Sequence, residues 1–306
     1  MPAVFRKHAE DIYNIKVRPD DVWVITFPRS GTTWTQEMVW LLENGLDFEA
    51  SKKKPLYERS PMLEITSYIP EVAIELIKIN FLNLANFQGL NKAVKTPSWQ
   101  SIDEAPSPRI IKTHLPLSLL PPDLLEIAKV IYVARDPRDV VVSNYYLHKM
   151  ITKALMRGSF IQFWEAFRQD LIPGMPIISH ANEAWEQRHH PNLHFMFYED
   201  MLQDLPKCIR NVSNFLQKSI NDDQLKKLAE HLTFKNLKKN KNVNNSTDSD
   251  IQFLRKGESG GWKSHFDAKM ELQADNYMKE RLKGLTLKYP TYNTDDAIHS
   301  VIIYLN

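Results

Sequence analysis

Lys112 and His114 place a cation and a base close enough together in this sequence to do chemistry. The run 109–113 suits a short strand, and Pro116 stops it. Alternate residues of a strand point to the same face, so the ammonium and the imidazole could act on one oxygen atom. His114 would follow the carboxyl end of its strand, where open α/β sheets bind ligands. A lone histidine is more often structural, and the nearby lysine is what favours a chemical role.

A second set of polar residues, at 28–33, is of the types that bind an anion. The apolar, β-branched run 22–27 predicts a buried strand before it, and apolar residues at helical spacing predict a helix over 33–44. A strand, a turn of small residues and a helix together aim backbone N–H groups and a positive helix end at an anion. Four side chains add donors at this turn: Arg29, Ser30, Thr32 and Thr33.

This turn differs from the one that nucleoside triphosphatases use. The Walker pattern needs a glycine where Thr26 stands and a lysine where Thr32 stands. Both are missing, which argues against an ATPase or a nucleotide kinase. Taken alone, the stretch would be best interpreted as an ordinary βα turn rich in small residues.

A third junction between a strand and a helix begins in the continuous apolar run 130–134. Asp136 is a good N-cap, Pro137 fits the first helical position, and Asp139 can act as the reciprocal capping partner. These signals predict a helix from residue 137 to about residue 148.

Arg135 stands at the end of this strand, and Ser143 lies two turns into the following helix. The planar fork of arginine binds a phosphate through two parallel hydrogen bonds. A ligand shared by Arg135 and Ser143 is therefore one interpretation. A surface ion pair from Arg135 to Asp136 or Asp139 is an equally good one at this point.

The remaining segments predict mainly helices joined by polar loops. Apolar spacing predicts helices over 71–90, 160–171, 178–189, 205–217, 222–232 and 270–285, and a strand over 193–198. Polar or proline-containing stretches predict an exposed lead-in at 1–21, loops at 47–61 and 97–108, and a long loop or mobile lid at 240–252. The apolar tail at 299–305 could add an edge strand or a contact surface.

Composition limits the classes of protein to which this sequence can belong. The 306 residues, 43% of them hydrophobic, can bury a full core, and the net charge of +2 suggests neither a nucleic acid nor a membrane as partner. Cys208 is the only cysteine, which indicates a reducing, cytoplasmic setting. No apolar run approaches the about 18 residues of a membrane span.

Several of these stretches together resemble the cytosolic sulfotransferases. This family moves a sulfuryl group from 3′-phosphoadenosine 5′-phosphosulfate (PAPS) to a hydroxyl or amine, leaving 3′,5′-adenosine bisphosphate (PAP). The matches follow the family order over about 22–288, and six in order form a specific signal. They are Phe-Pro-Arg-Ser-Gly-Thr-Thr-Trp at 27–34, Lys-Thr-His-Leu-Pro at 112–116, Val-Ala-Arg-Asp-Pro-Arg-Asp-Val-Val-Val-Ser at 133–143, Phe-Tyr-Glu-Asp-Met at 197–201, Phe-Lys-Asn-Leu-Lys-Lys-Asn at 234–240, and Phe-Leu-Arg-Lys-Gly…Gly-Trp-Lys at 253–263.

The resemblance implies roles for the matching residues. His114 matches the catalytic base, Lys112 matches its electrostatic helper, and these two with Thr113 would meet the acceptor. Arg135 and Ser143 match a pair on the 3′-phosphate, which favours the shared-ligand interpretation. No metal ligand is implied. The implied cofactor-binding residues are Arg29, Ser30, Gly31, Thr32, Thr33, Trp34, Arg135, Ser143, Tyr198, Thr233, Phe234, Leu254, Arg255, Lys256 and Gly257.

The chemistry of the family suits these residue types. A histidine with a pKa near 6.5 is poised to take the proton of an attacking hydroxyl at neutral pH. Attack would proceed in line with the departing phosphate, as in phosphoryl transfer. Negative charge would build on the leaving phosphate, where backbone donors, Arg29 and Lys112 can meet it. The transferred unit resembles neutral SO₃, so we expect no Mg²⁺ to be needed.

The sequence departs from the family at three places. The family usually has lysine where Arg29 stands, and its adenine-contacting threonine aligns with Leu232, with Thr233 one place later. Arginine keeps the charge but prefers bidentate geometry, so the rate could change while activity is retained. The short dimer motif of the family falls on Lys263, Asp267, Ala268 and Leu272, and only the lysine matches. The sequence therefore leaves open whether the protein forms a homodimer.

The sequence therefore predicts a single α/β domain over 1–306. Its fold would be a central, mainly parallel sheet with helices on both faces and a P-loop-like strand-loop-helix that binds phosphate. The predicted function is PAPS-dependent sulfation of a small apolar acceptor, a phenol first and a steroid or retinoid-like alcohol second. A PAPS- or PAP-binding protein with little turnover is the alternative, and dehydration through a transient sulfate ester is a variant of the same chemistry.

Overall fold

The computed structural model describes residues 5–68, 96–152, 158–244 and 253–292. Its centre is a sheet of four parallel strands in the order β2-β1-β3-β4. The strands are β1 Val22–Thr26, β2 Ile110–Thr113, β3 Lys129–Ala134 and β4 Leu193–Phe197. Each of the four predicted strands is confirmed, and each differs from its predicted bounds by one residue at one end.

Fourteen α-helices surround the sheet in the described residues. They are α1 Phe5–Tyr13, α2 Thr32–Glu43, α3 Phe48–Ser51, α4 Leu56–Arg59, α5 Ser98–Asp103, α6 Leu124–Ile127, α7 Pro137–Thr152, α8 Phe160–Arg168, α9 Ile177–Glu186, α10 Tyr198–Gln203, α11 Leu205–Phe215, α12 Asp222–His231, α13 Phe234–Lys239 and α14 Ala268–Leu282. Three 3₁₀ turns lie at Ile65–Tyr68, Leu117–Leu119 and Gly261–Ser264.

The two faces of the sheet belong to two separate hydrophobic cores. Trp23 and Ile25 of β1 pack into one core with α1, α7, α8, α9 and α14, whereas Val22 and Val24 pack into the other with α2, α11 and α12. This alternation follows from the strand period of two, which sends successive side chains to opposite faces. All five residues of β1 are buried, as expected of a central parallel strand. The predicted parallel sheet with helices on both faces is confirmed.

The register of the strands brings the polar junctions to one edge of the sheet. Ile25 of β1 pairs with Thr113 of β2 on one side and with Tyr132 of β3 on the other. The strands are parallel, so the residues that follow them, including His114 and Arg135, meet at the same carboxyl edge. The fold thereby brings together three motifs that are far apart in the chain.

The predicted exposed lead-in is wrong for the described residues that precede β1. Residues Phe5–Tyr13 form α1, and Phe5 and Ile12 are buried in the core. The alternation of charged and apolar residues here is that of an amphipathic helix. Asp21, fully buried, accepts a hydrogen bond of 2.7 Å from Arg109 Nε, which ties this segment to the start of β2.

Two predicted loops also contain short helices. The stretch 47–61 holds α3 and α4, and 97–108 holds α5. Asp47 caps α3 by accepting from Ala50 N at 2.8 Å, and Leu56 N donates to Asn242 O at 2.7 Å. Such helices are too short for sequence periodicity to reveal, and tertiary contacts stabilise them. The predictions for the helix over 71–90, most of the 240–252 loop and the 299–305 tail lie outside the described residues.

Positions aligned with the dimer motif of the family have local roles here. Asp267 caps α14 by accepting from Met270 N at 2.8 Å, and the Leu272 side chain is exposed. Within the described ranges, no helix is long and apolar enough to cross a membrane. The same ranges contain no cluster of three or more histidine, cysteine or acidic side chains arranged to hold a metal ion.

Candidate active site

A cavity of ≈ 290 Å³ opens at the carboxyl edge of the sheet. Most of the residues that the sequence singled out line it, although they come from seven separate stretches of the chain. The predicted residues among its lining are Arg29, Gly31, Thr32, Thr33, Trp34, Lys112, His114, Arg135, Ser143, Tyr198, Phe234, Leu254, Arg255, Lys256 and Gly257. Ser30 and Thr113 are buried beside it, and Thr233 is exposed. Leu232 lies in the second core and does not line the cavity.

The loop between β1 and α2 lies at one wall of the cavity. Gly31 has φ +103°, and a Cβ there would lie 2.9 Å from Tyr198 Cδ2, so only glycine fits. α2 begins at the next residue without a side-chain cap, which leaves its first N–H groups to other partners. The Ser30 hydroxyl and the Trp34 indole N–H are buried without a hydrogen-bond partner. This loop offers unused donors to an anion.

Two partly buried guanidinium groups extend this wall. Arg29 Nε donates to Ser143 Oγ at 2.9 Å, and its Nη2 donates to Phe253 O at 2.7 Å. Arg135 donates to the carbonyls of Arg29 and Glu258, each at 3.0 Å, and stacks on the Tyr198 ring. Burial and then repulsion from Arg135 lower the pKa of Arg29 to about 10. Arg29 remains cationic at neutral pH, and an anion between the two groups would relieve their repulsion.

The interpretation of Arg135 as one half of a surface ion pair is wrong. Asp136 pairs with Arg138 at 2.7 Å instead. The predicted capping role of Asp139 is also wrong, since its carboxylate accepts from Gly260 N at 2.7 Å and from Trp262 N at 3.1 Å. These bonds tie α7 to the segment that follows Gly257. The Arg135 side chain is left beside the cavity.

The Arg255–Gly257 segment closes the opposite wall. Gly257 has φ +69°, and a Cβ there would lie 2.2 Å from Phe234 Cδ2, so a larger residue would displace the phenyl ring. Arg255 stacks on Tyr146, and Lys256 pairs with Glu258 at 3.1 Å. The glycine therefore permits close packing of this backbone on Phe234, while the neighbouring residues supply positive charge.

His114 is held in one orientation at the floor of the cavity. Its Nδ1–H donates to the backbone carbonyl of Thr26 at 2.8 Å, which leaves the lone pair on Nε2. Burial, and after it the charge of Lys112, lower the pKa of His114 well below its usual range. Burial also lowers the pKa of Lys112 to about 8. At neutral pH the site thus holds a neutral imidazole next to a mainly protonated amine.

The lining of the cavity contains two sets of residues of different character, which we call its anion end and its apolar end. The anion end consists of Arg29, Arg135, Arg255, Lys256 and the donors around them. The apolar end consists of Met62, Ile65, Tyr68, Leu147 and Met150.

Sequence reasoning missed the apolar end and two buried groups behind His114, namely Glu64 and His180. The only signal for Glu64 was a carboxylate set between Leu63 and Ile65 in an apolar context. A carboxylate inside an apolar run indicates a charge that becomes buried on folding and therefore needs a partner.

A family model described as a sulfotransferase domain matches residues 19–286, which include all of these walls. The chain belongs to the sulfotransferase family. Among the curated relatives of this sulfotransferase, sulfotransferase 1E1 of Bos taurus is 32% identical over 94% of this chain and 93% of its own length. Sulfotransferase 1 family member D1 of Mus musculus is 34% identical over 92% and 90%, respectively.

Solved structures of sulfotransferases share the fold. Retinol dehydratase, solved once with androsterone and inactive cofactor PAP and once with retinol and PAP, is 40% identical to this chain. In each case the TM-score is 0.86 over 94% of this chain and 88% of that one. Mouse sulfotransferase SULT7A1, complexed with PAP, is 21% identical with a TM-score of 0.65 and supports the fold alone.

The residues of this sulfotransferase fit a ligand with phosphate groups at two positions. Unpartnered buried donors lie at Ser30, Trp34 and Arg135 Nε. Gly31 and Gly257 let the backbone pack closely against the rings of Tyr198 and Phe234, two residues of the cavity lining. Phosphate oxygens are acceptors that guanidinium groups and helix N-termini both favour. The donor set at the anion end therefore matches the chemistry of an adenosine bisphosphate.

Proposed function

We propose that this enzyme transfers a sulfuryl group from PAPS to the hydroxyl of a small, largely apolar acceptor, with His114 as the base. The observation that carries the proposal is one cavity whose lining combines His114 and Lys112 with a cationic set and an apolar set of side chains. PAPS would supply the sulfuryl group and leave as PAP. The residues implied to hold it are those of the anion end, with Phe234 and Trp34 near the adenine.

The protein residues account for the proton and the charge in this reaction. The Nε2 lone pair of His114 takes the hydroxyl proton as the acceptor oxygen bonds to sulfur and the bond from sulfur to the phosphate oxygen breaks. Negative charge then grows on the departing phosphate, where Arg29 and Lys112, two cations of the cavity lining, would stabilise it. Lys112 must be protonated for this role, which its pKa of about 8 permits at neutral pH.

For the acceptor, we propose an apolar alcohol of the retinoid or steroid kind ahead of the phenol that the sequence favoured. The support comes from the retinol dehydratase structures, which were solved with retinol and with androsterone. Met62, Ile65 and Leu147 would surround the apolar body of such a molecule. The proposal includes a cytoplasmic location, for which the single cysteine is the support.

The first test is transfer of labelled sulfate from PAPS to a panel of phenols, steroids, retinoids and aliphatic alcohols, with EDTA present. We expect the wild type to sulfate at least one apolar alcohol, and His114→Ala to lower kcat by about 10²- to 10⁴-fold. His148→Ala is the matched control, since His148 lines the same cavity but its Nδ1 bonds Asn144 O. Tight PAP binding without transfer to any acceptor would instead favour a binding protein with little turnover.

A second candidate function is dehydration of an allylic alcohol. It is favoured by the 40% identity to retinol dehydratase over 94% of this chain. The sulfate ester formed first would lose sulfate from its carbon, and a saturated carbon attached to the allyl system would lose a proton to a base or water, which adds one conjugated double bond. Mass spectrometry separates the two outcomes: sulfation adds one sulfuryl group to the acceptor, and dehydration removes one water.

A further inference from the structure

Glu64 is a fully buried carboxylate directly behind the Lys112–His114 pair. Its Oε1 accepts from the peptide N–H of His114 at 2.8 Å, and its Oε2 accepts from the Thr113 hydroxyl at 2.8 Å. Thr113 Oγ1 in turn accepts from Leu115 N at 3.1 Å. Burial raises the pKa of Glu64, and the hydrogen bonds from His114 and Thr113 oppose this rise. Donors on both oxygens are the pattern that recognises an ionised carboxylate.

The backbone that carries Glu64 is attached to the same strand. Leu63 N donates to Lys112 O at 2.8 Å, and Lys112 N donates to Pro61 O at 2.9 Å. Met62 forms a parallel bridge with Lys112. The segment 61–64 thus lies along the outer edge of β2, and the carboxylate cannot move independently of the residues it holds.

The other polar groups of His114 are fixed as well. His180 Nε2 donates to His114 O at 3.1 Å, and Tyr132 O–H donates to His180 Nδ1 at 2.7 Å. Because Nδ1 of His114 is bonded to Thr26 O, Nε2 is the ring nitrogen that remains available to a substrate. Among the groups that hydrogen-bond to His114, Glu64 is the one with a negative charge.

The charge of Glu64 also acts on Lys112. Of the charges around Lys112, Glu64 stabilises the ammonium and Arg29 destabilises it, while burial disfavours it further. For the imidazole of His114, burial and then the charges of Lys112, His180 and Arg29 disfavour the protonated form. A buried amine keeps its proton only when a nearby anion compensates the loss of water.

We propose that Glu64 is a positioning residue with two effects: its carboxylate fixes the peptide of His114, and its negative charge keeps Lys112 protonated. The proposal rests on the proposed roles of His114 and Lys112. It goes beyond them by assigning the group that makes both possible. A carboxylate that only stabilised the fold would leave the titration of Lys112 unchanged, and this difference is measurable without turnover.

The direct experiment is amine labelling of Lys112 against pH, quantified by mass spectrometry. In Glu64→Gln, we expect the labelling midpoint of Lys112 to fall by about one pH unit or more, because an opposite charge has been removed from a buried amine. Glu37→Gln is the matched control: Glu37 is equally buried but bonds Arg59 and His231. It should lower the melting temperature while leaving Lys112 unshifted.

Turnover provides the second readout, with an aliphatic alcohol as acceptor so that the acceptor itself does not titrate. Glu64→Gln should lower kcat by about tenfold to hundredfold, since misplacement of a base by about 1 Å costs that much. It should also move the alkaline limb of the rate profile to lower pH. Glu64→Asp keeps the charge with a shorter reach, so kcat should fall while the limb stays in place.

An unchanged Lys112 midpoint in soluble Glu64→Gln would overturn the proposed effect on charge. If that variant does not fold, Glu64→Asp decides the positioning effect: wild-type kcat there would overturn it. Failure of the proposed function is a separate result. It would appear as absent transfer by the wild type, and the labelling of Lys112 could still be measured.

Discussion

The anion end and the apolar end of the cavity are positioned by different forces. At the anion end, Arg29 and Arg135 are fixed by hydrogen bonds to Ser143 and to backbone carbonyls, with distances of 2.7 to 3.0 Å. At the apolar end, Met62 and Leu147 line the cavity with side chains that form no hydrogen bonds. Hydrogen bonds are directional, whereas apolar contacts depend on area and tolerate changes of shape.

This contrast suggests that the two ends have different functions, one toward the cofactor and the other toward the acceptor. The proposed chemistry needs a cation and a base at fixed places, which the strand ends would provide through Arg135 and His114. The acceptor needs an apolar surface of suitable volume, which several combinations of side chains can provide. Substitutions at the anion end should therefore affect the cofactor with every acceptor, and those at the apolar end should affect the acceptor only.

The largest effect should come from Arg135→Ala at the anion end. Loss of a charge-assisted contact is expected to weaken PAP binding by about 2 kcal/mol, or roughly thirtyfold, as measured by calorimetry. Arg188→Ala is the matched control, because Arg188 also stacks on an aromatic ring, that of Trp185, and donates to a backbone carbonyl, but lies outside the cavity lining. Equal losses in the two variants would contradict a cofactor role for Arg135.

A smaller effect is expected from Gly257→Ala. Both Gly257 and Gly284 have a positive φ, so alanine is strained at each, by about 1 kcal/mol. Only at Gly257 would the new Cβ meet a neighbour, the ring of Phe234 at 2.2 Å. We expect PAP affinity to fall by about tenfold in Gly257→Ala and to stay unchanged in Gly284→Ala, with the larger loss of melting temperature in Gly257→Ala. Loss of affinity in both variants would point to global strain.

The same contrast explains what could be predicted from the sequence. The sequence was sufficient to predict the strand at 22–27, the junction at Arg135 and the parallel sheet, because apolar runs, caps and turn residues indicate local structure. Glu64 was not, because its role depends on a contact 50 residues away with the backbone of His114. Asp139 was given a local capping role, and its true partners, the backbone N–H groups of Gly260 and Trp262, are remote in sequence.

At the apolar end, Met62→Ala should act on the acceptor. Met62 is half-buried and lines the cavity, so its truncation removes contact area from the acceptor without touching a charge. We expect KM for a retinoid or steroid alcohol to rise by about fivefold, in line with roughly 1 kcal/mol of lost apolar contact. KM for PAPS should stay the same. A parallel rise in both constants would show that the two ends are coupled.

Arg29→Lys should have the smallest effect and is the sharpest test of the anion end. Arg29 donates to Ser143 Oγ and to Phe253 O at once, and its guanidinium stacks on the Phe253 ring at 4.7 Å. Lysine keeps the charge but lacks the planar fork for both bonds. We expect the single-turnover rate to stay within about threefold of wild type, since charge at the departing phosphate is retained.

The rate of PAP release should depend on the hydrogen bond from Arg29 to Phe253 O, which a lysine cannot form together with the bond to Ser143. The bond to Phe253 O holds the segment that precedes Arg255 and Lys256 against the β1–α2 loop. Without that bond, PAP should dissociate faster by a few-fold in Arg29→Lys, measured by stopped-flow displacement. Arg29→Gln is the control, because it removes the charge and should also slow the single turnover by at least about tenfold. If Arg29→Lys matches wild type in both rates, charge alone matters at this position, and the fixed geometry of the anion end does not extend to Arg29.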